Sequence, residues 1–193
     1  MIDQANRDAG TGARAATAGR IRHRRVVAAP VLVALCVLSV AGMGQAQVMG
    51  EEAELDRLRV KAEDAMGNDD AESAAMSMGR AALMAGQLAK RQSDSGLQHT
   101  FKTAEHLYRS QEHGYRAIAL FRRAGGELPA SAGVCGSLQL AQLELQHAQE
   151  GLNRQVQAPA TNAHAARLGT VRQTTDDWTT LLESMHADFR CSR

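Results

Sequence analysis

The chain has 193 residues and a formal net charge of +1 at pH 7, with 22 basic and 21 acidic side chains. Aromatic residues make up only 3% of it, and it contains three prolines. The apolar content comes mostly from alanine, leucine and methionine, and β-branched residues form few runs. This composition argues against a β-rich fold. It predicts an all-α fold of antiparallel helical hairpins, five to six helices in total, with thin cores and closely approaching helices.

The N-terminal region has the order of a secretory signal. Several arginines precede an apolar run at 26–43, and Gly44, Gln45 and Ala46 then place small residues before a cleavage site. The sequence therefore predicts a signal peptide at 1–46 with cleavage after Ala46. A single helical domain at 47–193 would remain, in a periplasmic or secreted protein. The basic residues before the apolar run are Arg20, Arg22, Arg24 and Arg25.

Two alternatives remain open for this N-terminal segment. The pair Arg24 and Arg25, followed by two valines, is similar to a twin-arginine export signal. Residues 26–43 could also serve as an uncleaved inner-membrane anchor, since a helix rises about 1.5 Å per residue. Pro30 and the cleavage-like site favour removal instead. Lipid attachment at Cys36 is not expected, because a large residue precedes this cysteine.

Removal of residues 1–46 changes the charge balance of the protein. It takes away six arginines and two aspartates, which leaves 16 basic and 19 acidic residues and a formal charge of −3. Such a domain has no basic stripe to follow phosphates, so we expect no nucleic-acid partner. Beyond the export signal we expect no membrane partner either.

The first two mature helices follow from apolar spacing and turn residues. Residues 50–66 place Leu55, Leu58, Ala62 and Ala65 on one face. Asn68, Asp69 and Asp70 form a turn and cap signal, and 71–91 is expected to be the second helix. Its inward residues are expected to be Met76, Leu83 and Leu88. A capping-box pattern at Ser95 and Gln98 then starts the next element.

The stretch FKTAEHLYRSQEHGYRAIALFRRAGGELP contains four of the six aromatic residues of the chain. Segment 98–131 resembles one tetratricopeptide repeat, a pair of antiparallel helices of about 34 residues. The matching residues are Phe101, Tyr108, Ala117, Phe121, Ala124 and Pro129, while Ala104 and Glu105 depart from the pattern. The resemblance implies a helix break near His113 and a partner-binding surface on the first helix. The alternative is an amphipathic helix pair unrelated to such repeats.

The same resemblance implies where a partner would bind. Repeats of this kind bind proteins or peptides on the side of the first helix, which places Lys102, Glu105, His106 and Arg109 near a partner. The leading hypothesis is therefore an exported helical adaptor, a protein–protein interaction module without catalytic activity or cofactor.

The last two helices carry apolar stripes at spacings of three and four residues, and a proline-containing loop joins them. This pattern predicts an antiparallel hairpin. The first stripe is Leu138, Ala141, Leu145, Ala148 and Leu152, after a cap at Ser131. The second is Leu168, Val171, Thr175, Trp178, Leu182, Met185 and Phe189.

The two cysteines of the predicted mature chain lie near the outer ends of this hairpin. In an oxidising compartment, Cys135 and Cys191 are expected to form a disulfide if the tail after Phe189 unwinds and folds back. Closing a loop of 56 residues would stabilise the fold by about 4 kcal/mol on the chain-entropy account. Two free thiols or intermolecular pairing are the alternatives.

A metal-binding or metal-sensing helical bundle is the second hypothesis. His99, His106 and His113 are spaced by seven residues and share one helical face. Consecutive members would be about 10.5 Å apart along the helix axis, too far to share an ion, so ligands from a neighbouring helix or a second subunit are required. A copper site is less favoured than core packing, because two of the candidate methionines point in different directions. Those methionines are Met66, Met76, Met78 and Met84.

The sequence contains no complete catalytic motif that would indicate an enzyme. Cys135 begins a Cys-Gly-Ser-Leu run that is similar to part of the papain-like pattern, but Leu138 occupies the position of the nucleophile. The chain has no Gly-x-Ser-x-Gly elbow, phosphate-binding glycine loop or His-Glu-x-x-His motif. An enzyme is therefore the third hypothesis, with no reaction assigned.

Overall fold

A computed structural model describes residues 31–155 and 162–191, with side-chain positions for 49–155 and 164–191. Five α-helices follow one another: α1 (Val31–Gly67), α2 (Ala71–Arg91), α3 (Ser95–Arg123), α4 (Ala132–Gln155) and α5 (Asn162–Asp188). No strand occurs in these ranges, which confirms the all-α prediction.

The chain divides into two units, residues 1–40 and 41–193. In the first unit, only the backbone of α1 from residue 31 is described. The four arginines of the predicted signal lie outside the described residues, and the predicted cleavage site after Ala46 falls within the α1 backbone. Within the described part of the chain, no helix combines the length and apolarity needed to cross a membrane.

Short polar side chains set the helix starts in the second unit. The Asp70 carboxylate accepts a hydrogen bond from the Ser73 N–H at 3.0 Å, and α2 begins and ends at the predicted residues. The Asp94 carboxylate does the same for the Leu97 N–H at 2.9 Å, so Asp94 rather than Ser95 caps α3. A carboxylate accepts such bonds well because the first N–H groups of a helix have no internal partner.

Helix α3 differs from the sequence prediction. It runs unbroken through 29 residues, so the expected break near His113 and the hairpin within 98–131 are wrong. Gly114, in the middle of the helix, makes room for a neighbour: a Cβ there would lie 2.5 Å from Cζ2 of Trp178 on α5. The ring of Tyr115 meets Trp178 edge to face, with centroids 5.3 Å apart.

Contacts between residues of successive helices show that these helices run antiparallel in the second unit, and α3 contacts α2, α4 and α5. Arg122 and Arg123, at the end of α3, form ion pairs with Asp69 and Glu72 beside the start of α2. The Ser110 hydroxyl of α3 donates a hydrogen bond to the Ala141 carbonyl of α4 at 2.7 Å. The Trp178 indole N–H donates to the same hydroxyl at 2.8 Å, which ties α5 to this interface.

The core is thin on the α2 side and thicker between α3, α4 and α5. Met76 and Leu83 are 61% and 59% exposed, so the prediction that they face inward is wrong, while Leu88 is fully buried as predicted. Alanines fill the inward face of α2 and let it approach α3 closely. They are Ala71, Ala74, Ala75, Ala81, Ala82, Ala85 and Ala89.

The predicted stripes of the other helices lie in the core. Leu55, Leu58 and Ala62 of α1 are buried. All members of the α4 stripe are buried, and so is the α5 stripe, apart from Leu168 and Phe189, which are partly buried. The apolar spacing of these helices therefore identified the packed faces correctly.

The predicted cysteine pair closes the last hairpin. Cys135 and Cys191 are joined as a disulfide, with their Cα atoms 5.4 Å apart. Helix α5 ends at Asp188, and Arg190 takes a left-handed conformation with φ of 53° that turns the tail back. The Ala130 N–H donates to the Phe189 carbonyl at 3.0 Å, so the backbone also joins these two ends.

Candidate metal site

The four residues predicted to bind a partner are divided between two faces of α3. Glu105 faces α2, where its carboxylate accepts bonds from Lys102 at 2.7 Å and Arg109 at 3.2 Å. It occupies space left by Gly86, since a Cβ there would lie 2.9 Å from its carboxyl carbon. His106 faces α4 instead. Glu105 and Arg109 thus lie on the α2 side of α3 and His106 on the α4 side, while Lys102 pairs with Glu105 and also lines a cavity beside His106.

Basic neighbours determine the direction in which the pKa of Glu105 is shifted at the α2 interface. Burial acts to raise the pKa of its carboxyl, but the hydrogen bonds from Lys102 and Arg109 outweigh burial and hold the pKa below its ordinary value. Glu112, one heptad along, fits against Gly79 in the same way and pairs with Arg116 at 2.6 Å. Both carboxylates on this face are therefore satisfied by basic residues of α3 itself.

The α4 face of α3 carries the feature that best resembles a ligand site. His106 Nδ1 lies 2.7 Å from Oε2 of Glu144, and His147 Nδ1 lies 4.0 Å from the same oxygen. The candidate ligand atoms of these three residues all lie within 4.8 Å of one another. We call His106, Glu144 and His147 the His–Glu–His cluster. It is the one group of at least three such side chains found in the described part of the chain.

Local helix geometry assembles this cluster. Glu144 and His147 are three residues apart on α4, a spacing that puts both on one face. The hydrogen bond from Ser110 to the Ala141 carbonyl fixes α4 against α3 one turn away. The rings of His106 and His147 then meet edge to face, with centroids 5.1 Å apart. All three side chains are half-buried, so they remain accessible to an ion.

The spacing of these ligand atoms is compatible with a metal ion. Zinc binds imidazole nitrogen and carboxylate oxygen at about 2.0–2.2 Å, so tetrahedral ligand atoms are about 3.4 Å apart. The contacts of Glu144 with His106 at 2.7 Å and with His147 at 4.0 Å lie on either side of this value. Small side-chain rotations would equalise them. His147 Nδ1 is buried without a hydrogen-bond partner among the described residues, and it is thus free to act as a ligand.

The other histidines of the heptad series do not join the cluster. His99 lies nearer the start of α3 and lines a neighbouring cavity. His113 Nδ1 is buried with no hydrogen-bond partner in the described ranges. Burial lowers the pKa of His113. Arg116 and Arg109 also act to lower it, whereas Glu112 and Glu144 act to raise it. The heptad thus supplies one metal-ligand candidate, and α4 supplies the other two.

Two other metal-binding interpretations have little support from the geometry. Met78 is buried while Met76 is exposed, which places their sulfur atoms on different faces of α2, as the helical spacing predicted. Cys135 and Cys191 are joined in the disulfide, so neither sulfur is available as a thiolate ligand.

A second concave surface lies between α2 and α3. This groove has a volume of about 630 Å³ and is bordered by the exposed Met76 and Leu83. Four arginines line it, together with Glu72 and Glu112. The arginines are Arg80, Arg109, Arg116 and Arg123. We call this surface the α2–α3 groove.

Comparisons of the chain with protein-family models, with curated proteins and with solved structures each found no match. Nothing beyond the residues quoted above therefore identifies a tetratricopeptide-like unit.

Proposed function

We propose that this protein binds a divalent transition metal ion through the His–Glu–His cluster. The observation that supports the proposal most directly is the convergence of His106 from α3 with Glu144 and His147 from α4, with all ligand atoms within 4.8 Å. Residues 38 positions apart in the chain meet here on two packed helices. A rigid helix pair is a good support for a metal site because it holds the ligands in place before the ion arrives.

The chemistry of the ligands favours particular ions. Two imidazoles and one carboxylate suit Zn²⁺, Cu²⁺, Ni²⁺ or Fe²⁺, whereas Mg²⁺ and Ca²⁺ prefer sites made of oxygen ligands alone. Three protein ligands also leave a coordination position for water or another molecule, in contrast to closed structural zinc sites with four protein ligands. We therefore propose an exchangeable ion rather than a structural one.

The proposed location is the periplasm or the extracellular space. The signal-like N-terminal sequence supports export, and so does the pairing of Cys135 with Cys191, since disulfides persist in oxidising compartments. Together, these observations support an exported helical protein that binds or senses a metal ion.

Zinc binding by the purified full chain, without a polyhistidine tag, tests the proposal. Competition with a chromogenic chelator should give one zinc ion per chain. Loss of a residue that only hydrogen-bonds to a metal ligand weakens metal sites by about 10–100-fold, so removal of a ligand itself should weaken binding by more than about 100-fold. The ligand variants are His106→Ala, Glu144→Gln and His147→Ala.

Matched controls separate the cluster from histidines in general. His99→Ala and His186→Ala remove histidines that lie outside the cluster, and both variants should keep wild-type affinity. Circular dichroism verifies that each variant is folded. Wild-type protein that takes up no zinc, nickel or copper at micromolar free metal would end the proposal, and so would equal affinity in all variants.

Protein binding is the second candidate, and the α2–α3 groove is the observation that favours it. Met76 and Leu83 are large apolar side chains exposed beside several arginines, a combination that suits an acidic peptide with apolar anchors. Arg109 of the predicted partner-binding set lies in this groove, whereas His106 belongs to the metal cluster. An adaptor role would therefore use the α2 side of α3.

A cross-linking comparison tests the adaptor proposal. A photoreactive residue in place of Arg80 should cross-link a partner in the native compartment, and Leu83→Glu should abolish the product by placing a charge in the apolar contact. Leu140→Glu on α4 changes a comparably exposed leucine outside the groove and serves as the control. Cross-linking that survives Leu83→Glu, or is lost equally with the control, would contradict binding in the groove.

A further inference from the structure

A cavity of about 410 Å³ lies beside the His–Glu–His cluster, where α3 begins and α4 ends. His106 and His147 both line it, while Glu144 is outside its wall. A metal ion on three protein ligands keeps a position for an external ligand. This cavity therefore gives a small molecule access to the imidazole side of the metal site.

The charge of the cavity wall favours an anion. Lys102 and Arg154 line the cavity, and no carboxylate is among its described lining residues. Lys102 contacts Glu105 at 2.7 Å, and Arg154 lies 3.9 Å from Glu150. Both basic side chains are largely exposed. The exposed Arg154 pair contributes little, and Arg109 still pairs with Glu105 at 3.2 Å when Lys102 turns away. The two cations can therefore turn toward an anion in the cavity at small cost.

A buried amide gives an independent indication of a ligand. Gln155, at the end of α4, lines the cavity and is only 5% exposed. Neither its side-chain oxygen nor its nitrogen has a hydrogen-bond partner among the described residues. Buried polar groups are normally paired because an unpaired one is costly. The amide N–H group is a suitable donor for a carboxylate oxygen.

We propose that this cavity binds a small dicarboxylate that also coordinates the metal ion of the His–Glu–His cluster, an inference that rests on the proposed metal binding. One end of the ligand supplies oxygen atoms to the metal. A second carboxylate interacts with Lys102 and Arg154, and Gln155 donates a hydrogen bond. The cavity volume falls within the range of small-molecule sites.

Equilibrium dialysis with radiolabelled malate tests this proposal on the full chain. Zinc-loaded wild-type protein should retain about one malate per zinc ion, and metal-free protein should retain far less. Arg154→Gln and Gln155→Met should each weaken malate binding by about tenfold or more, since hydrogen bonds to charged groups are strong. Both variants should keep the zinc affinity measured without malate. Arg172→Gln changes an exposed arginine outside the cavity and should bind malate normally.

The outcomes separate the two proposals. Normal zinc binding without malate retention overturns the carboxylate site and leaves metal binding intact. Equal malate retention with and without zinc overturns the shared coordination. Failure to bind zinc in the absence of malate removes the premise, and both proposals then fall.

Discussion

Polar side chains of α3 are paired differently at its interface with α2 and at its interface with α4. Against α2, Glu105 and Glu112 fit over Gly86 and Gly79, and arginines or a lysine of α3 itself pair with them. Against α4, the helix presents histidines instead. Two ring nitrogens at that interface, on His113 and His147, have no hydrogen-bond partner within the described part of the chain.

This difference separates an interface that is complete from one that can accept a ligand. Carboxylates paired within their own helix need nothing further, and they let α2 approach closely over its glycines and alanines. A ring nitrogen without a hydrogen-bond partner is available as a ligand for a metal ion. The α3–α4 interface is therefore the better place to look for chemistry, although the α2–α3 groove is larger.

The largest expected effect concerns the disulfide that joins the start of α4 to the tail after α5. Replacing both cysteines, as Cys135→Ser with Cys191→Ser, should lower the free energy of unfolding by about 4 kcal/mol, because the disulfide closes a loop of 56 residues. Urea denaturation of the oxidised wild type and the variant measures this. A loss below about 1 kcal/mol would contradict a structural role for the bond.

A pair of glycine substitutions tests how tightly each interface of α3 is packed. Gly114→Ala puts a methyl group 2.5 Å from the Trp178 ring, which its hydrogen bond to Ser110 holds in place. Overpacking of this kind costs about 1–3 kcal/mol. Gly86→Ala meets only the flexible end of Glu105, and the gain in helix propensity of about 1 kcal/mol should offset the contact.

Thermal or urea unfolding of the two glycine variants gives the comparison directly. The account predicts a clear loss for Gly114→Ala and little change for Gly86→Ala. The reverse order would mean that α2, rather than α5, is the tightly packed neighbour of α3.

The smallest expected effect is a pH dependence at the α4 interface. Burial lowers the pKa of His113 below its unfolded value of 6.5, so above that pH this histidine is neutral in both states and imposes no cost. As the pH falls from 6.5 through the folded-state pKa, the unfolded chain binds the proton more readily, and stability declines. In metal-free protein, His113→Gln should make the decline shallower.

Glu105 provides the contrast on the α2 side. Its folded-state pKa lies below the unfolded value of 4.5, so its contribution is present above pH 4.5 and is lost as the pH falls through the folded pKa. Glu105→Gln should therefore lower stability above pH 4.5, and its difference from wild type should fade at a more acidic pH than that of His113→Gln. Identical pH profiles for wild type and both variants would show that neither interface titrates in this way.

Periodicity and turn residues were enough to predict the all-α fold, the bounds of α2 and the buried faces of α4 and α5. They failed where the neighbouring helix decides the outcome. Gly114 in a helical segment indicates either a break or a close approach, and only the position of Trp178 distinguishes the two. Met76 and Leu83 were expected inside, but alanines form the inward face of α2 and allow its closer packing on α3.

The candidate site was predictable only in part. The heptad spacing grouped His99, His106 and His113 and indicated that other ligands must come from a neighbouring helix or a second subunit, but it did not distinguish His106 from the other two. Glu144 and His147 were missed, although their spacing of three residues on one helix is a recognisable signal. Which turn of α4 faces His106 depends on the register between α3 and α4, and that register is fixed by packing and by the Ser110 hydrogen bond rather than by local sequence.

X-ray absorption at the zinc edge of the loaded full chain tests whether the His–Glu–His cluster holds the ion. We expect two imidazole nitrogens and one carboxylate oxygen from the protein, at about 2.0–2.2 Å, with a remaining light-atom ligand. His147→Ala should reduce the imidazole count to one, and His99→Ala should leave the spectrum unchanged. Sulfur ligands at about 2.3 Å, or a shell without imidazole scattering, would contradict metal binding by the His–Glu–His cluster.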